Sequence, residues 1–474
     1  MNKLFLGIDS GSQSTKVGIF DAQGNELCYG TALLKPTETP RTGIVYHPDE
    51  DLWDTLLLAL ENCLTQFTGD KSLIMGIGLC TIRCCRVLLD GNGNLVEPVI
   101  SWMDARLSRP YVHENDEVKY VTTTSGYLCL RMTGNHKDSC SNQEVNWPID
   151  KTTLKWGTDA QITDLGLNRE QLFELVLPGE SLGKLKPELV SRFGLKDGIE
   201  VFATGNDKAV EVLGSGLNSE NEIMISLGTF ISAMMARQND FPTAQNFFPT
   251  LACEPFKYVY ECTGIRRGMW TVSWFKNLAG EELKELAKHE NTSEEEILNR
   301  IAEHIPVGSE GLLTLLDWLN PADKPFRKGI MIGFDERHTK YHIYRSILEA
   351  IAYTIQNNIN LMLEETQASV NCIKIIGGGS HSKVLVQIIC DLFGVKVETL
   401  KAKSSACLGA AICVSVGIGI YKDFLEAKKA MVKVDTCFEP NLDNHKYYDS
   451  VNKHVYSTLR EYTDPLLKNA YNYL

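Results

Sequence analysis

The chain has 474 residues, more than one compact core usually holds, so two domains are expected. Hydrophobic residues make up 43% and charged residues 23%, as in ordinary globular proteins. The net charge of −13 argues against a nucleic-acid partner or an anionic membrane surface, because both need a basic face.

The first part of the chain alternates short apolar runs with polar turns, a pattern typical of strands. One longer stretch places Trp53, Leu56 and Leu60 on a single face and predicts a helix. The predicted elements are the strands Leu4–Ile8, Val17–Phe20, Glu26–Leu34, Leu73–Leu79 and Val87–Leu89 and the helix Asp51–Gln66.

The second part repeats the opening strand–turn–strand design and then alternates strands with helices. The predicted elements are the strands Glu222–Ser226, Phe230–Ala236 and Ile373–Ile376 and the helices Tyr344–Leu363, Lys383–Phe393 and Ser404–Val416. Two similar units, one in each half, indicate a duplicated α/β fold whose halves face each other. The tail Asn441–Leu474 is predicted to be partly helical and to pack through Tyr447, Tyr448, Tyr456, Tyr462 and Tyr471.

The cysteines and the apolar runs bear on where the protein works. The 14 cysteines are scattered without a CxxC pair, which favours reduced, packed thiols. No apolar run reaches the length of a membrane span or of a signal-peptide core. A cytoplasmic protein is therefore expected.

A polar turn follows the first predicted strand. Gly11 lets the backbone approach a ligand, and the hydroxyls and N–H groups of such a turn can cradle phosphate oxygens. Lys16 would add a cation, and Asp9 could hold Mg²⁺ through water. Taken alone, an ordinary hairpin turn explains the segment better. The residues concerned are Asp9, Gly11, Ser12, Gln13, Ser14, Thr15 and Lys16.

Two more turns have the composition of nucleotide-binding loops. The segment with Ser226, Gly228 and Thr229 repeats the design of the first turn, and by itself it is equally weak evidence for phosphate binding. The run Gly377, Gly378, Gly379 and Ser380 follows a strand and precedes a helix. Consecutive glycines cost backbone entropy, which a phosphate or a flat adenosine resting on the backbone would justify. A tight strand-to-helix connection is the alternative.

A carboxylate also stands at the end of an apolar strand. Asp207 follows Ile199–Ala203 and a glycine, a position that faces the ligand crevice in open α/β sheets. Such a group could accept a proton from an attacking hydroxyl. Asp207 could equally cap the helix that begins at Lys208, and the residues alone leave the two interpretations even.

The order of these segments resembles the FGGY family of carbohydrate kinases, within the actin/hexokinase/Hsp70-like ATPase superfamily. The resemblance runs from about residue 3 to about residue 425 and rests on nine segments in the family's order. They are GIDSGSQSTKVGIFDAQG, HPDEDLW, IMGIGLCTIRCCRVLLDGNGNLVEPVISWMDAR, GNDKAVEVLGSGL, ISLGT, IPVGSEGLL, HIYRSILEAIAY, IIGGGSHSKVLVQIICDLFG and SSACLGAAICVSVGIG. WPIDKTTLKWG and GNDKA are most similar to an uncharacterised sugar-kinase branch.

The resemblance implies two ribonuclease-H-like domains, residues 1–214 and 215–474, that flank a cleft for ATP and Mg²⁺. It implies that Asp207 is the general base and that Asp9 positions the metal through water. Residues 12–16 and 226–229 would hold the phosphate chain, residues 377–380 would support the adenosine, and Gly268 would lie near the nucleotide. The small residues Gly409, Ala410 and Ala411 would let two helices meet closely at the hinge.

The substrate side of the resemblance is less complete. Trp102, Asp104 and Arg106 form the family's W-x-D-x-R motif, with Asp104 as an acceptor for sugar hydroxyls. At the position of Arg83-Cys84, glycerol kinases have Arg-Glu and pentulose kinases commonly have Met-His. Arg83 matches the first residue of the glycerol-kinase pair, but Cys84 matches neither pair. The connection over residues 107–124 is shorter than in most members.

These features imply an ATP-dependent kinase of a small sugar, with a ketopentose such as xylulose or ribulose as the leading substrate. The alternatives are a polyol or glycerol-type kinase, favoured by Arg83, and a nucleotide-binding sensor without kinase activity, favoured by the short connection. Homodimers are common in the family, so a homodimer is also open.

Overall fold

The computed structural model describes residues 3–143, 147–321 and 323–473. The first two residues of the predicted N-terminal domain and the last residue of the predicted tail lie outside the described residues. The predicted boundary between residues 214 and 215 falls inside a helix, Asp207–Ser215, and stays a prediction.

A six-stranded sheet organises the first part of the chain. Its strands are β1 Leu4–Ser10, β2 Ser14–Asp21, β3 Glu26–Leu33, β4 Ile74–Thr81, β5 Ser181–Lys184 and β6 Glu200–Asn206, in the order β5-β6-β4-β1-β2-β3. β1 pairs antiparallel with β2 and parallel with β4, and β6 continues the parallel side. β1 is buried along its whole length, which explains its unbroken apolar character.

A seven-stranded sheet repeats this arrangement in the second part. Its strands are β7 Glu222–Leu227, β8 Ile231–Arg237, β9 Phe247–Leu251, β10 Tyr258–Cys262, β11 Cys372–Ile376, β12 Lys396–Leu400 and β13 Val434–Phe438, in the order β9-β10-β8-β7-β11-β12-β13. β7 pairs antiparallel with β8 and parallel with β11, as β1 does with β2 and β4. The predicted duplication is therefore present in the topology.

Helices cover and join the two sheets. They are α1 Asp51–Gln66, α2 Thr124–Thr133, α3 Asp159–Asp164, α4 Pro187–Phe193, α5 Asp207–Ser215, α6 Gly268–Ala279, α7 Glu281–Glu290, α8 Glu294–Ala302, α9 Lys340–Thr366, α10 Lys383–Phe393, α11 Ser405–Gly417, α12 Phe424–Met431, α13 Leu442–Val451 and α14 Leu459–Tyr471. Short two-stranded ribbons pair Glu38–Arg41 with Ile44–Tyr46, Val87–Leu89 with Tyr120–Thr122, Lys137–Ser139 with Glu174–Val176, Ile149–Asp150 with Lys155–Trp156, and Leu313–Leu315 with Ile330–Ile332.

Helix α9 begins a turn earlier than the apolar spacing predicts. Thr339 and His342 form a capping box, which satisfies N–H groups at the start of the helix. Residues 340–343 are therefore helical although they carry little of the apolar periodicity. The helix ends at Gln367, which adopts a left-handed conformation.

Helix α11 packs tightly between the two sheets at the predicted hinge. A Cβ atom added to Gly409 would lie 2.2 Å from the carbonyl oxygen of Val210 on α5. A side chain at this position would therefore separate α11 from α5, the helix that begins with Asp207. The predicted close approach of two helices through small residues is confirmed.

The tail packs on the second part of the chain, but through fewer tyrosines than predicted. Tyr448 is buried, and its hydroxyl donates to Glu349 Oε1 at 3.0 Å; Tyr456 is buried and stacks on Tyr353. The expectation of packing is wrong for Tyr462 and Tyr471, which are exposed, whereas Tyr447 is partly exposed and lies against Gly308.

The described residues include all 14 cysteines, and each has a free thiol. Eleven are buried, so most behave as small apolar side chains. Across the described ranges, no helix is both long and apolar enough to cross a membrane.

Candidate active site

The predicted phosphate turns lie where parallel strands of the two sheets end. The turn after β1 is closed by a hydrogen bond from Gly11 N to Ser14 O of 3.1 Å. Ser12 and Gln13 are exposed at its tip, while Thr15 is buried at the start of β2. The hydroxyl oxygens of Ser10 and Thr15 are buried without a hydrogen-bond partner in the described part of the chain. Unpaired buried hydroxyls are costly, so a ligand at this turn would satisfy them.

Asp9 and Lys16 form an ion pair at the base of this turn. Lys16 Nζ lies 3.1 Å from Asp9 Oδ2, and the Asp9 side chain is almost completely buried. The Asp9 carboxylate raises the pKa of Lys16 above its usual range, although burial acts in the opposite direction. Lys16 is therefore charged at neutral pH and half-exposed, so its ammonium group is available to a phosphate.

The second turn and the glycine run meet at one place. Gly377 has a φ of +86°, and a Cβ atom there would lie 2.9 Å from the carbonyl oxygen of Leu227 at the end of β7. Helix α6 begins at Gly268, and Met269 N donates to Gly228 O at 3.2 Å. A Cβ atom on Gly378 would face open space. The structure thus brings together the predicted nucleotide-side residues of the second part, namely Ser226, Gly228, Thr229, Gly268, Gly377, Gly378, Gly379 and Ser380.

Asp207 is the first residue of α5 and does not cap it. The cap is Asn206, whose Oδ1 accepts from the backbone N–H groups of Lys208 and Ala209, each at 3.0 Å. The capping interpretation of Asp207 is therefore wrong. Asp207 Oδ1 is buried and has no hydrogen-bond partner among the described residues. Burial raises the pKa of this carboxyl above its ordinary value, and the charges of Lys208 and Arg83 only partly oppose the shift.

An ion pair crosses the cleft beside Asp207. Arg83, which follows β4, contacts the carboxylate of Glu261 on β10 of the other sheet through its Nη2 atom. Arg83 Nε lies 3.9 Å from Asp207 Oδ1. Burial raises the pKa of Glu261, but the charges of Arg83 and Lys208 outweigh it, and the pKa is lowered. Arg83 therefore stands between two carboxylates, one from each side of the cleft.

A second ion pair lies on the first turn of α5. Lys208 Nζ lies 3.0 Å from Glu211 Oε2. Burial lowers the pKa of Lys208, but Glu211 and Asp207 outweigh this effect and the net shift is upward. Lys208 is thus a charged neighbour of Asp207 and already has a carboxylate partner.

The W-x-D-x-R residues divide into an exposed and a buried part. Trp102 is 52% exposed, and its backbone lies beside Cys85, whose thiol pKa is raised by burial. The Asp104 side chain is 0% exposed; its oxygens accept from Val45 N at 2.8 Å and from Arg106 Nε at 3.0 Å. The expectation that Asp104 accepts sugar hydroxyls does not agree with this geometry, because the carboxylate is fully used inside the hairpin. Arg106 is held by Asp104 in the same way.

Comparison with known proteins identifies the family. Residues 4–113 match the N-terminal domain and residues 223–418 the C-terminal domain of the FGGY family of carbohydrate kinases. The chain is 42% identical over 470 residues to "Uncharacterized sugar kinase YgcE" of Escherichia coli (strain K12), covering 99% of this chain and 96% of that protein. This chain belongs to the FGGY family.

A further relative and a solved structure extend the comparison. A xylulose kinase of Staphylococcus epidermidis (strain ATCC 12228 / FDA PCI 1200) is 25% identical over 513 residues, covering 98% of this chain and 99% of that protein. The crystal structure of gluconate kinase from Lactobacillus acidophilus has a TM-score of 0.81 at 16% identity, covering 98% of this chain and 99% of that chain. The predicted two-domain, ribonuclease-H-like fold is confirmed.

FGGY kinases are ATP-dependent phosphotransferases, so the chain is an ATP-dependent carbohydrate kinase that acts on a small sugar. The family membership therefore supports a kinase over the alternative of a nucleotide-binding sensor without kinase activity. The unpaired hydroxyls of Ser10 and Thr15 and the open backbone at Gly378 fit a nucleotide. Within the described ranges no group of three or more metal-ligating side chains occurs. The Asp9 carboxylate is compatible with Mg²⁺, which usually keeps several waters and takes substrate phosphates as ligands.

Three charged residues of this cleft were not predicted from the sequence. Glu261 is one residue of a buried strand, and nothing local shows that it reaches Arg83, 178 positions earlier. Lys208 and Glu211 do carry a signal. Their i, i+3 spacing at the start of a predicted helix is typical of an ion pair beside Asp207.

Proposed function

We propose that the protein transfers the γ-phosphoryl group of ATP to a hydroxyl of a neutral small sugar, with a ketopentose such as xylulose or ribulose as the preferred acceptor. The observation that carries this proposal is Asp207. Its partly buried carboxylate, whose Oδ1 atom has no hydrogen-bond partner among the described residues, lies at the end of β6, near the ion pair Asp9–Lys16.

Asp207 acts as the general base in this proposal. A carboxyl whose pKa is raised by burial is a stronger base than a solvated one. Asp207 takes the proton of the attacking hydroxyl while the sugar oxygen bonds to the γ-phosphorus. The bond from that phosphorus to the bridging oxygen breaks, and ADP leaves.

Binding groups of the two sheets position the reactants. Residues 12–16 and 226–229 hold the phosphate chain, and Lys16 offsets negative charge there. Asp9 would hold Mg²⁺ through water, and the bound ion would neutralise charge on the phosphates. Catalysis of phosphoryl transfer depends mostly on positioning and electrostatic stabilisation, and a cleft that excludes water favours both.

The charge balance of the cleft supports a neutral acceptor. The cations named above each have a carboxylate partner, in the pairs Lys16–Asp9, Arg83–Glu261 and Lys208–Glu211. A sugar acid would place another negative charge beside Asp207 without a surplus cation to receive it. The resemblance to xylulose kinases supports a ketopentose. A polyol is the second candidate, because Arg83 stands where glycerol kinases have an arginine and lies beside Asp207.

An ADP-release assay on the purified protein with Mg-ATP tests this proposal. The panel holds xylulose, ribulose, aldopentoses, pentitols, glycerol and gluconate, and Asp207→Asn is the matched control. Release of ADP with a ketopentose that depends on Asp207 supports the proposal. Faster ADP release with gluconate than with every neutral acceptor would contradict the charge argument. Turnover by the Asp207→Asn variant would show that Asp207 is not the general base.

A further inference from the structure

A second polar cavity lies away from Asp207, beneath the short connection that follows the W-x-D-x-R motif. Its volume is about 190 Å³, and residues 109–112 and 114–115 form part of its wall. Three arginines line it, Arg86, Arg106 and Arg109, together with Tyr111 and apolar side chains of the neighbouring hairpin. Nothing in the proposed phosphoryl transfer uses this cavity.

Arg86 is buried in the wall without an ionic partner. The residue is 6% exposed, and no carboxylate among the described residues is paired with its guanidinium. The guanidinium lies over the ring of Tyr111, whose centroid is 5.6 Å from the Arg86 Cζ atom. The backbone of Arg86 is fixed by two hydrogen bonds with Ile100, of 3.1 and 3.0 Å. The guanidinium is therefore held in place by a rigid hairpin.

The stacking contact does not offset the cost of this burial. Removing a guanidinium from water costs several kcal/mol unless it is paired, whereas a cation–π contact contributes about 0.5–2 kcal/mol. Burial accordingly lowers the pKa of Arg86 from its usual value. An anion in the cavity would supply the missing partner.

Two of the three carboxylates near Arg86 are engaged by other groups. Glu97 Oε2 accepts from the Tyr46 hydroxyl at 2.8 Å and from Arg106 Nη1 at 3.5 Å. Asp104 is bonded to Arg106 inside the hairpin. Glu114 also lines the cavity and is exposed on the surface loop.

The mouth of the cavity carries a further cation. Arg109 is exposed there, and no described carboxylate is paired with it. Two guanidinium groups, one buried and one exposed, therefore face the same space without ionic partners in the described part of the chain.

We propose that this cavity binds a small oxyanion, a phosphate or carboxylate group, with Arg86 as the buried donor and Arg109 at the entrance. A guanidinium presents paired N–H groups that match the oxygens of either anion. The volume lies below the range of about 300–1,000 Å³ typical of drug-sized ligands, so inorganic phosphate or a small organic acid fits better than a nucleotide. Occupancy would stabilise the hairpin that carries Trp102.

Thermal unfolding of the full chain tests the proposal, with saturating ADP present so that the nucleotide cleft is occupied. Sodium phosphate and sodium malonate are titrated separately, and sodium chloride at equal ionic strength is the reference. A ligand that binds only the folded state raises Tm with concentration. Wild-type Tm should rise with phosphate, malonate or both beyond the chloride reference, and the more effective anion identifies the preferred group.

Matched variants locate the binding. Arg86→Met, which keeps the side-chain volume and removes the charge, should abolish the anion-dependent rise. Arg109→Ala is a surface change that should leave the basal Tm unaltered and weaken anion affinity about 10-fold. Arg131→Met is the matched control and should retain the full anion-dependent rise in Tm. Like Arg86, Arg131 stacks on an aromatic ring, but it already has a carboxylate partner, Glu50, at 2.9 Å.

Three results would overturn the proposal. The first is a wild-type Tm that responds to phosphate and malonate only as it does to chloride. The second is an anion-dependent rise that persists in Arg86→Met. If Arg86→Met does not fold, Arg109→Ala decides the question, because an unchanged anion affinity in that variant would exclude the cavity.

Discussion

Glu261→Gln removes the charge of the domain-crossing pair while preserving the shape of the side chain. The Glu261 and Arg83 side chains are 8% and 17% exposed, so water screens their attraction only weakly. Two unit charges 4 Å apart are worth about 4 kcal/mol at an effective dielectric constant of 20. Breaking one side of a buried pair typically costs about 3–5 kcal/mol, because the other charge is left uncompensated.

That cost should appear in catalysis, since the pair joins the two sheets beside Asp207. A loss of about 3 kcal/mol in stabilisation of this arrangement corresponds to about a 100-fold fall in kcat/KM. The variant also frees Arg83 to pair fully with Asp207. Both changes lower the pKa of Asp207, which is faced by Glu261, Arg83, Lys208 and Asp9. The acid limb of the pH–rate profile should therefore move to lower pH, although the maximal rate is smaller.

The assay is ADP release across a pH series for Glu261→Gln, Arg83→Met and the double variant. Because the residues act as a pair, the double variant should lose much less than the sum of the single losses. Glu261→Asp, which keeps the charge, should restore the position of the acid limb. Additive losses, or a profile that keeps its wild-type acid limb in Glu261→Gln, would refute a role for this pair beside Asp207.

Three other variants probe the cleft and the hinge. Asp207→Asn should raise Tm at neutral pH. A carboxyl whose pKa is raised in the folded state destabilises the fold above that pKa, and this destabilisation is lost as pH falls through it. A lower Tm for the variant would show that burying the ionised carboxylate does not destabilise the fold. In a denaturant titration, Gly409→Ala should lower the free energy of unfolding by about 1–3 kcal/mol, because its Cβ atom would lie 2.2 Å from Val210 O. Gly91→Ala is the control and should be neutral, because the nearest contact of its Cβ atom is at 3.7 Å. Trp102→Ala should raise the sugar KM about 10-fold and leave the ATP KM unchanged, and equal effects on both would place Trp102 outside the sugar site.

The strand–turn–strand units were predictable because their signals are local. An apolar run, a small polar turn and a second apolar run fix both β1–β2 and β7–β8, and each turn lies at the expected strand end. Asp207 was predictable for the same reason, since it stands directly after a strand. The structure removes the capping alternative by assigning the cap to Asn206.

Long-range contacts and side-chain direction were not predictable. Glu261 meets Arg83 only because two sheets face each other, and no spacing in the chain reports that. Asp104 lies in the expected motif, but the motif does not show that its carboxylate points into the hairpin toward Val45. The unpaired Arg86 was missed because a single arginine in a polar stretch gives no sign of its burial.

The most direct test of the central claim compares ATP binding with single-turnover phosphoryl transfer in wild-type protein and Asp207→Asn. The sugar is the acceptor that the ADP-release panel identifies. If Asp207 is the general base at the end of β6, ATP affinity should be unchanged and the transfer rate should fall about 100-fold or more. Transfer at the wild-type rate, with ATP affinity intact, would contradict the account.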